Sequence, residues 1–153
     1  SGATTLLGGA DAELAAEIYA IGVQLGEIVQ LFDDLEDALQ DPASPDWTQG
    51  RNNLLILYAR SAAHEQRDAF VARLSRLAEP GVLQEAQQIL IDSGAVSYAI
   101  YQAVTRFQAA RQRLENLGLA NPEPIRRALM DQMAPLKTLF QQLGFEAPPE
   151  LNI

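Results

Sequence analysis

The stretch from Ala10 to Leu39 contains no proline, and its large apolar residues recur at alternating spacings of three and four. This spacing returns apolar side chains to one side of an α-helix, and it does not fit the two-residue period of a strand. The residues of the apolar stripe are Ile18, Ile21, Leu25, Ile28, Phe32, Leu35 and Leu39. We therefore predict a long amphipathic helix that buries this stripe.

A loop and a second helix are predicted after this helix. Pro42 and Pro45 stop the helical ladder, so residues 41–50, which are rich in Asp, Ser and Gly, are predicted to form a loop. Asn52 or Asn53 suits the N-cap of the next helix, because an Asn side chain accepts hydrogen bonds from the first free N–H groups. That helix is short and apolar, which predicts burial.

The remaining chain also shows helical spacing, and no segment has the alternation typical of a strand. The last helix is predicted to bend at Pro135 and to end before Gly144. Helical apolar patterns cover residues 70–77, 82–90, 96–117 and 124–143. The sequence thus predicts an all-α fold, a bundle of about six helices, in a single domain over residues 1–153.

Composition limits the classes of protein that this chain can belong to. The absence of cysteine excludes disulfides and thiolate metal sites and fits a reducing cytoplasm. No apolar run approaches the ~18 residues of a membrane span, and the first residues lack the basic side chains of a signal peptide. We expect a soluble, cytoplasmic protein with no membrane span.

Charge is distributed unevenly along the chain. The net charge of −9 argues against a nucleic-acid partner, because phosphate backbones are bound by clustered Lys and Arg. Residues 1–50 hold ten acidic residues and no Lys or Arg, whereas residues 51–153 hold ten acidic and eleven basic residues. A block of like charge is typical of a disordered tail or of a site that awaits a cation. The helical periodicity of this block favours the site.

The polar side of the first helix carries the candidate site. At 100° per residue, Gly26, Gln30, Asp33 and Asp37 fall within about 60° of one another, and Asp34 flanks them. Asp33 and Asp37 lie one turn apart, so their carboxylates can share a cation, and Mg²⁺ prefers such oxygens and completes its shell with water and phosphate. The alternative is a solvated acidic face. The lack of neighbouring Lys or Arg and the poor helix propensity of Asp weigh against that alternative.

The segment from Gln30 to Asp37 resembles the second aspartate-rich motif of the trans-isoprenyl diphosphate synthases, in which DDxxD follows a glutamine after two residues. Leu25-Gly26 is similar to the small-residue approach to that motif. The segment from Asp46 to Leu55 is similar to the family loop that ends in Gly-Lys, a variable residue, Thr, Leu and Pro. In this chain Arg51 replaces the Lys, Asn53 and Leu55 replace the Thr and Pro, and Val29 stands where Phe is common. The motifs lie within residues 1–61, and the rest of the chain matches only as compatible helices.

The resemblance implies an isoprenoid-synthase-type helical fold and a prenyltransferase that condenses isopentenyl diphosphate with an allylic diphosphate. By the resemblance, Asp33, Asp34 and Asp37 hold Mg²⁺, and Asp33, Asp34 and Gln30 are the catalytic residues. Gln30 and Arg51 bind the substrate phosphates. Terpene cyclisation shares the helices and the metal chemistry, but the loop after the motif favours the synthases.

Family members are longer, with a first aspartate-rich motif and basic residues for isopentenyl diphosphate in an N-terminal half, and residues 1–153 contain no second DDxxD. The resemblance therefore implies the C-terminal half of such a domain, as a fragment or as one subunit, with little activity alone. Its partner would be the missing N-terminal half or a second subunit in a homo- or heterodimer. Two alternatives are a non-catalytic partner subunit with the synthase fold and an acidic helical bundle with an interaction role.

Overall fold

The computed structural model describes residues 8–49, 52–144 and 146, and every regular element in these ranges is a helix. The elements are α1 (Gly9–Leu39), α2 (Pro45–Thr48), α3 (Leu54–Ser61), α4 (Arg67–Leu74), α5 (Val82–Asp92), α6 (Ala95–Asn116), α7 (Glu123–Gln132) and α8 (Ala134–Leu143). Because α2 is a single turn, seven longer helices remain in this part of the chain. The prediction of an all-α fold of about six helices is confirmed.

The chain forms two compact units, one from residues up to 29 and from 103 onward, the other from residues 30–102. The core of the first unit is lined by Ile21, Ile28, Ala103, Phe107, Ala110, Leu114, Leu129, Met133, Leu136 and Phe140. The core of the second is lined by Leu35, Ala38, Trp47, Leu55, Ile56, Ala59, Phe70, Val82, Leu83, Ala86, Ile89, Leu90, Ala95, Val96 and Ala99. The single domain over residues 1–153 stays a prediction.

The apolar stripe of α1 is buried or half-buried at every position except one. Ile21, Ile28 and Leu35 are buried, as the periodicity predicts, whereas Ile18 is 46% exposed. Ile18 lies three residues and therefore about 60° around the helix from Ile21, which places it beyond the packed side of α1. The prediction that Ile18 is buried is wrong for that reason.

The segment after α1 is more ordered than the predicted loop, because α2 forms within it. Trp47 anchors α2. Its side chain is buried, and the centroid of its ring lies 5.9 Å from that of Phe70. Its indole Nε1 donates a hydrogen bond to the carbonyl oxygen of Ala38 at 3.2 Å. Gln87 Nε2 donates to the carbonyl oxygens of Ala38 and Gln40. These side chains satisfy carbonyls that the end of α1 leaves without intrahelical partners.

The C-terminal segment forms two helices where one bent helix is predicted. α7 ends at Gln132 and α8 begins at Ala134, so Pro135 lies in the first turn of α8. A proline fits the first turn because its missing N–H would have no intrahelical partner there. The chain therefore restarts a helix before Pro135 and does not bend through it. Gly144 ends α8 with φ 74°, in the left-handed region that favours glycine.

Among the described helices, α1 is the one that is long and apolar enough to cross a membrane by length and composition. Helices in the core of soluble proteins pass the same test. The cytoplasmic location and the absence of a membrane span therefore stay predictions.

Candidate divalent-cation site

The three aspartates of the α1 motif lie in different environments. Asp33 is exposed and Asp37 is half-buried, whereas Asp34 is only 7% exposed. Adjacent residues point about 100° apart on a helix, so Asp34 turns toward the core of its unit while Asp33 stays at the surface. The motif therefore presents two carboxylates at the accessible side of α1 and one toward the interior.

Asp34 fastens α1 to α3. Its Oδ2 accepts a hydrogen bond from the backbone N–H of Leu54 at 3.1 Å, and its Oδ1 accepts one from Gln30 Nε2 at 3.1 Å. Leu54 is the first residue of α3, where backbone N–H groups lack intrahelical partners and the helix dipole favours a negative charge. Both carboxylate oxygens thus already have protein partners, although metal ligation by Asp34 stays a prediction.

Of the two predicted capping residues, Asn52 and Asn53, it is Asn53 that forms the N-cap of α3, and it is 1% exposed. Its Oδ1 accepts hydrogen bonds from the backbone N–H groups of Leu55 at 3.0 Å and Ile56 at 3.4 Å. Its Nδ2 donates to the backbone oxygen of Asp34 at 2.8 Å and to Oδ2 of Asp46 at 3.0 Å. One buried amide therefore joins α1, α2 and α3.

Asp46 in α2 is a candidate functional residue that the sequence analysis missed. It is 8% exposed, and its carboxylate lies within hydrogen-bonding reach of the Asp37 carboxyl. Burial raises the pKa of Asp37, and the charge and contact of Asp46 raise it further, with smaller contributions from Asp33 and Glu36. The one sequence signal for Asp46 is its place at the start of the segment that resembles the family loop.

The negative charge of this cluster is not neutralised by the described part of the protein. No Lys or Arg in residues 8–49 and 52–144 forms an ion pair with Asp33, Asp37 or Asp46. Two carboxylates in contact repel each other unless a proton or a cation lies between them. The raised pKa of Asp37 reflects its burial first and the charge of the neighbouring carboxylates second.

The donor set fits Mg²⁺, because it consists of carboxylate oxygens. Among the described residues, no three His, Cys, Asp or Glu side chains come close enough to hold a metal ion by themselves. Mg²⁺ is usually bound by one or two carboxylates together with water and substrate phosphates, so the pair of Asp37 and Asp46 suits a site that a phosphorylated ligand completes.

The two predicted phosphate-binding residues differ in what the structure says about them. Gln30 is exposed one turn before Asp33 and Asp34, and its amide is oriented by the hydrogen bond to Asp34. Arg51 lies outside the described residues. Phosphate binding by both residues stays a prediction.

Comparison with curated proteins finds similarity to a geranylfarnesyl diphosphate synthase from Aeropyrum pernix. The two sequences are 29% identical over 121 residues, which cover 75% of this chain and 37% of that synthase. The chain therefore spans little more than a third of the length of the curated relative. No family model matches the chain. No solved structure matches it.

Proposed function

We propose that this chain supplies the second metal-binding half-site of a prenyl diphosphate synthase, in which Asp37 and Asp46 hold Mg²⁺ against the diphosphate of an allylic substrate and the exposed Asp33 lies one helical turn before Asp37. The observation that carries this proposal is the contact between the Asp37 and Asp46 carboxylates without a basic partner among the described residues. The similarity to a geranylfarnesyl diphosphate synthase supports the class of reaction.

The reaction is the condensation of isopentenyl diphosphate with an allylic diphosphate. The allylic C–O bond breaks, diphosphate leaves, the allylic cation adds to the double bond of isopentenyl diphosphate, and a proton is lost. Bound Mg²⁺ supplies stabilisation of the negative charge that develops on the leaving diphosphate. Asp37 and Asp46 would hold the ion through their carboxylate oxygens, and the amide of Gln30, which donates to Asp34, would bind a phosphate oxygen of the substrate.

Asp34 takes a different part in this proposal from the one that the motif predicts. Because its oxygens accept hydrogen bonds from Leu54 N–H and Gln30, it holds α3 and the Gln30 amide in place. Asp46, brought to α1 by α2, supplies the additional carboxylate. The proposed ligand set is therefore drawn from two helices and not from the motif alone.

The binding groups for isopentenyl diphosphate are proposed to lie in a further part of the complete protein or in a second subunit, because the matched residues cover 37% of the relative. We accordingly expect this chain to bind Mg²⁺ together with a diphosphate and to turn over little by itself. The complete assembly is proposed to be a cytoplasmic homo- or heterodimer.

The alternative is a non-catalytic partner subunit that pairs with another chain through its helices. The observation in its favour is an exposed, uncharged surface on α1, where Tyr19 is 75% exposed and a side chain added at Gly22 or Gly26 would meet nothing within 4 Å. Apolar surface of this kind often marks a protein interface. Its other large side chains are Ile18, Val23 and Val29.

The two functions are separated by the thermal midpoint of this chain with Mg²⁺ and pyrophosphate, each alone and both together. A ligand that binds only the folded state raises the midpoint by mass action. The half-site predicts an increase that needs both components and is lost in Asp37→Asn and Asp46→Asn, while the exposed control Asp131→Asn retains it. The partner-subunit function predicts no increase and a stable complex with another chain that is indifferent to these substitutions.

A further inference from the structure

A hydrogen-bonded amide supports the proposed carboxylate pair from the interior of the protein. Asn53 is buried and makes four side-chain hydrogen bonds, two as acceptor and two as donor. The amide group of Asn has two N–H donors and one oxygen with two lone pairs, so its capacity is fully used. Buried polar groups that are fully bonded hold one geometry, since any rotation leaves a partner unsatisfied.

Capping α3 requires only half of this side chain. Ser, Thr and Asp also provide the oxygen that accepts hydrogen bonds from the first N–H groups of a helix. None of them provides two N–H donors, which here reach the Asp34 backbone oxygen in α1 and Oδ2 of Asp46 in α2. The donor half of Asn53 is therefore in excess of what an N-cap needs.

The donor half acts on Asp46. The bond from Nδ2 occupies Oδ2 of Asp46 and leaves the other lone pairs of that carboxylate for Asp37 and for a shared cation. The second Nδ2 bond ends on the main chain of α1, four residues after Gln30 and three before Asp37, so the amide takes its position from the helix that carries Asp37. The Asn53 amide therefore fixes the position of the Asp46 carboxylate relative to α1, the helix that carries Asp37.

We propose that Asn53 is a positioning residue for the cation site, whose amide holds the Asp46 carboxylate beside that of Asp37 before a ligand arrives. This inference rests on the proposed function, because the carboxylate pair is the proposed Mg²⁺ site. Groups that orient metal ligands from behind typically contribute 10–100-fold to metal affinity. Removing only the donor half of Asn53 is therefore expected to weaken ligand binding while α3 stays capped.

The test compares Asn53→Ser and Asn53→Thr, which retain a capping oxygen and lose both N–H donors, with Asn52→Ser. Asn52 is the adjacent exposed residue of the same type and provides the matched control. The affinity of each variant for Mg²⁺ with pyrophosphate is measured by titration calorimetry, and circular dichroism checks that each variant melts cooperatively. We expect both Asn53 variants to bind about tenfold or more weakly than wild type and Asn52→Ser to bind as wild type does.

A second measurement combines Asn53→Ser with Asp46→Ala and compares the affinity of the double variant with that of Asp46→Ala alone. Because Asn53 acts through Asp46, adding Asn53→Ser to Asp46→Ala is expected to weaken binding by less than about tenfold, a coupling that loss of stability alone does not produce. If the Asn53 variants bind as wild type does while Asp46→Asn loses binding, the positioning role is overturned and the cation site stands. If wild type does not bind, the proposed function fails and the positioning role fails with it.

Discussion

The acidic residues of α1 have different partners in the two units of the protein. In the first unit, Glu17 and Glu27 each form an ion pair with an arginine of α6, at 2.8 Å to Arg113 and 2.6 Å to Arg106. In the second unit, the Asp37 carboxylate lies against another carboxylate, and no described basic side chain pairs with it. Within the described residues, the same helix therefore carries acids that pair with arginine and acids that have no basic partner.

This difference indicates which acids serve the structure and which are available to a ligand. A carboxylate paired within the protein has little left to offer a cation, whereas an uncompensated pair is held at some cost in stability. Features that break a local rule of stability are concentrated at functional sites. Total charge does not reveal this distinction, because the first fifty residues are acidic throughout.

The largest expected effect is a loss of stability when Asn53, which holds Asp46 beside Asp37, is truncated. Asn53→Ala removes the cap of α3 and leaves the Asp34 carbonyl and the Asp46 carboxylate without a buried donor, so we expect the free energy of unfolding to fall by about 3 kcal/mol. In a protein of this size that corresponds to a thermal midpoint lower by about 6–12 °C. Asn52→Ala is expected to change the free energy by less than about 0.5 kcal/mol. Equal effects of the two substitutions would show that the Asn53 network does not stabilise the fold.

The second effect concerns ligand binding by the uncompensated pair. Asp37→Asn is expected to weaken the binding of Mg²⁺ with pyrophosphate by about ten- to hundredfold, or about 1.4–2.7 kcal/mol, because a neutral amide is a poorer ligand for a hard cation. Titration calorimetry measures this loss. Glu27→Gln in the neutralised region is the comparison, and a loss of similar size there would remove the distinction between the two regions.

A smaller effect is expected from the neutralised acids themselves. Glu27→Gln breaks the pair with Arg106, both of whose side chains are partly exposed, and should lower the free energy of unfolding by about 0.2–1 kcal/mol. Chemical denaturation with urea at low and high salt measures this value, which should shrink as salt screens the pair. Glu13→Gln, at an exposed position of the same helix, is the control. A loss well above 1 kcal/mol would mean that the ion pair is a major support of the first unit.

The smallest effect is a gain in stability in the absence of metal. Because the pKa of Asp37 is raised in the folded state, its charged form is unfavourable there, and the penalty exists above the folded pKa. Asp37→Asn should therefore raise the thermal midpoint at neutral pH, by about 1 °C because the group is partly solvated. The gain should vanish as the pH falls below the ordinary aspartate pKa of about 4, where wild-type Asp37 is protonated in both states. Asp131→Asn is the control, and a lower midpoint for Asp37→Asn at pH 7 would contradict the assigned repulsion.

Much of the fold follows from local sequence patterns. Periodic apolar residues identified α1, and the cap of α3, predicted at Asn52 or Asn53, is Asn53, because both features depend on residues within one or two helical turns. Errors arose where local rules allow two outcomes. Pro135 can bend a helix or begin one, and a proline- and aspartate-rich segment can be a loop or hold a turn of helix such as α2.

In the candidate site, too, some features follow from local sequence and others depend on tertiary packing. The sequence by itself determined that carboxylates recur on one side of α1, because the helical period is a local property of the backbone. Only the tertiary structure decided that Asp34 turns to the N-terminus of α3 and that Asp46 comes to lie beside Asp37. Those partners are twenty and nine residues apart along the chain, and they meet because the buried side chains of α2 and α3, among them Trp47 and Leu55, pack into one core.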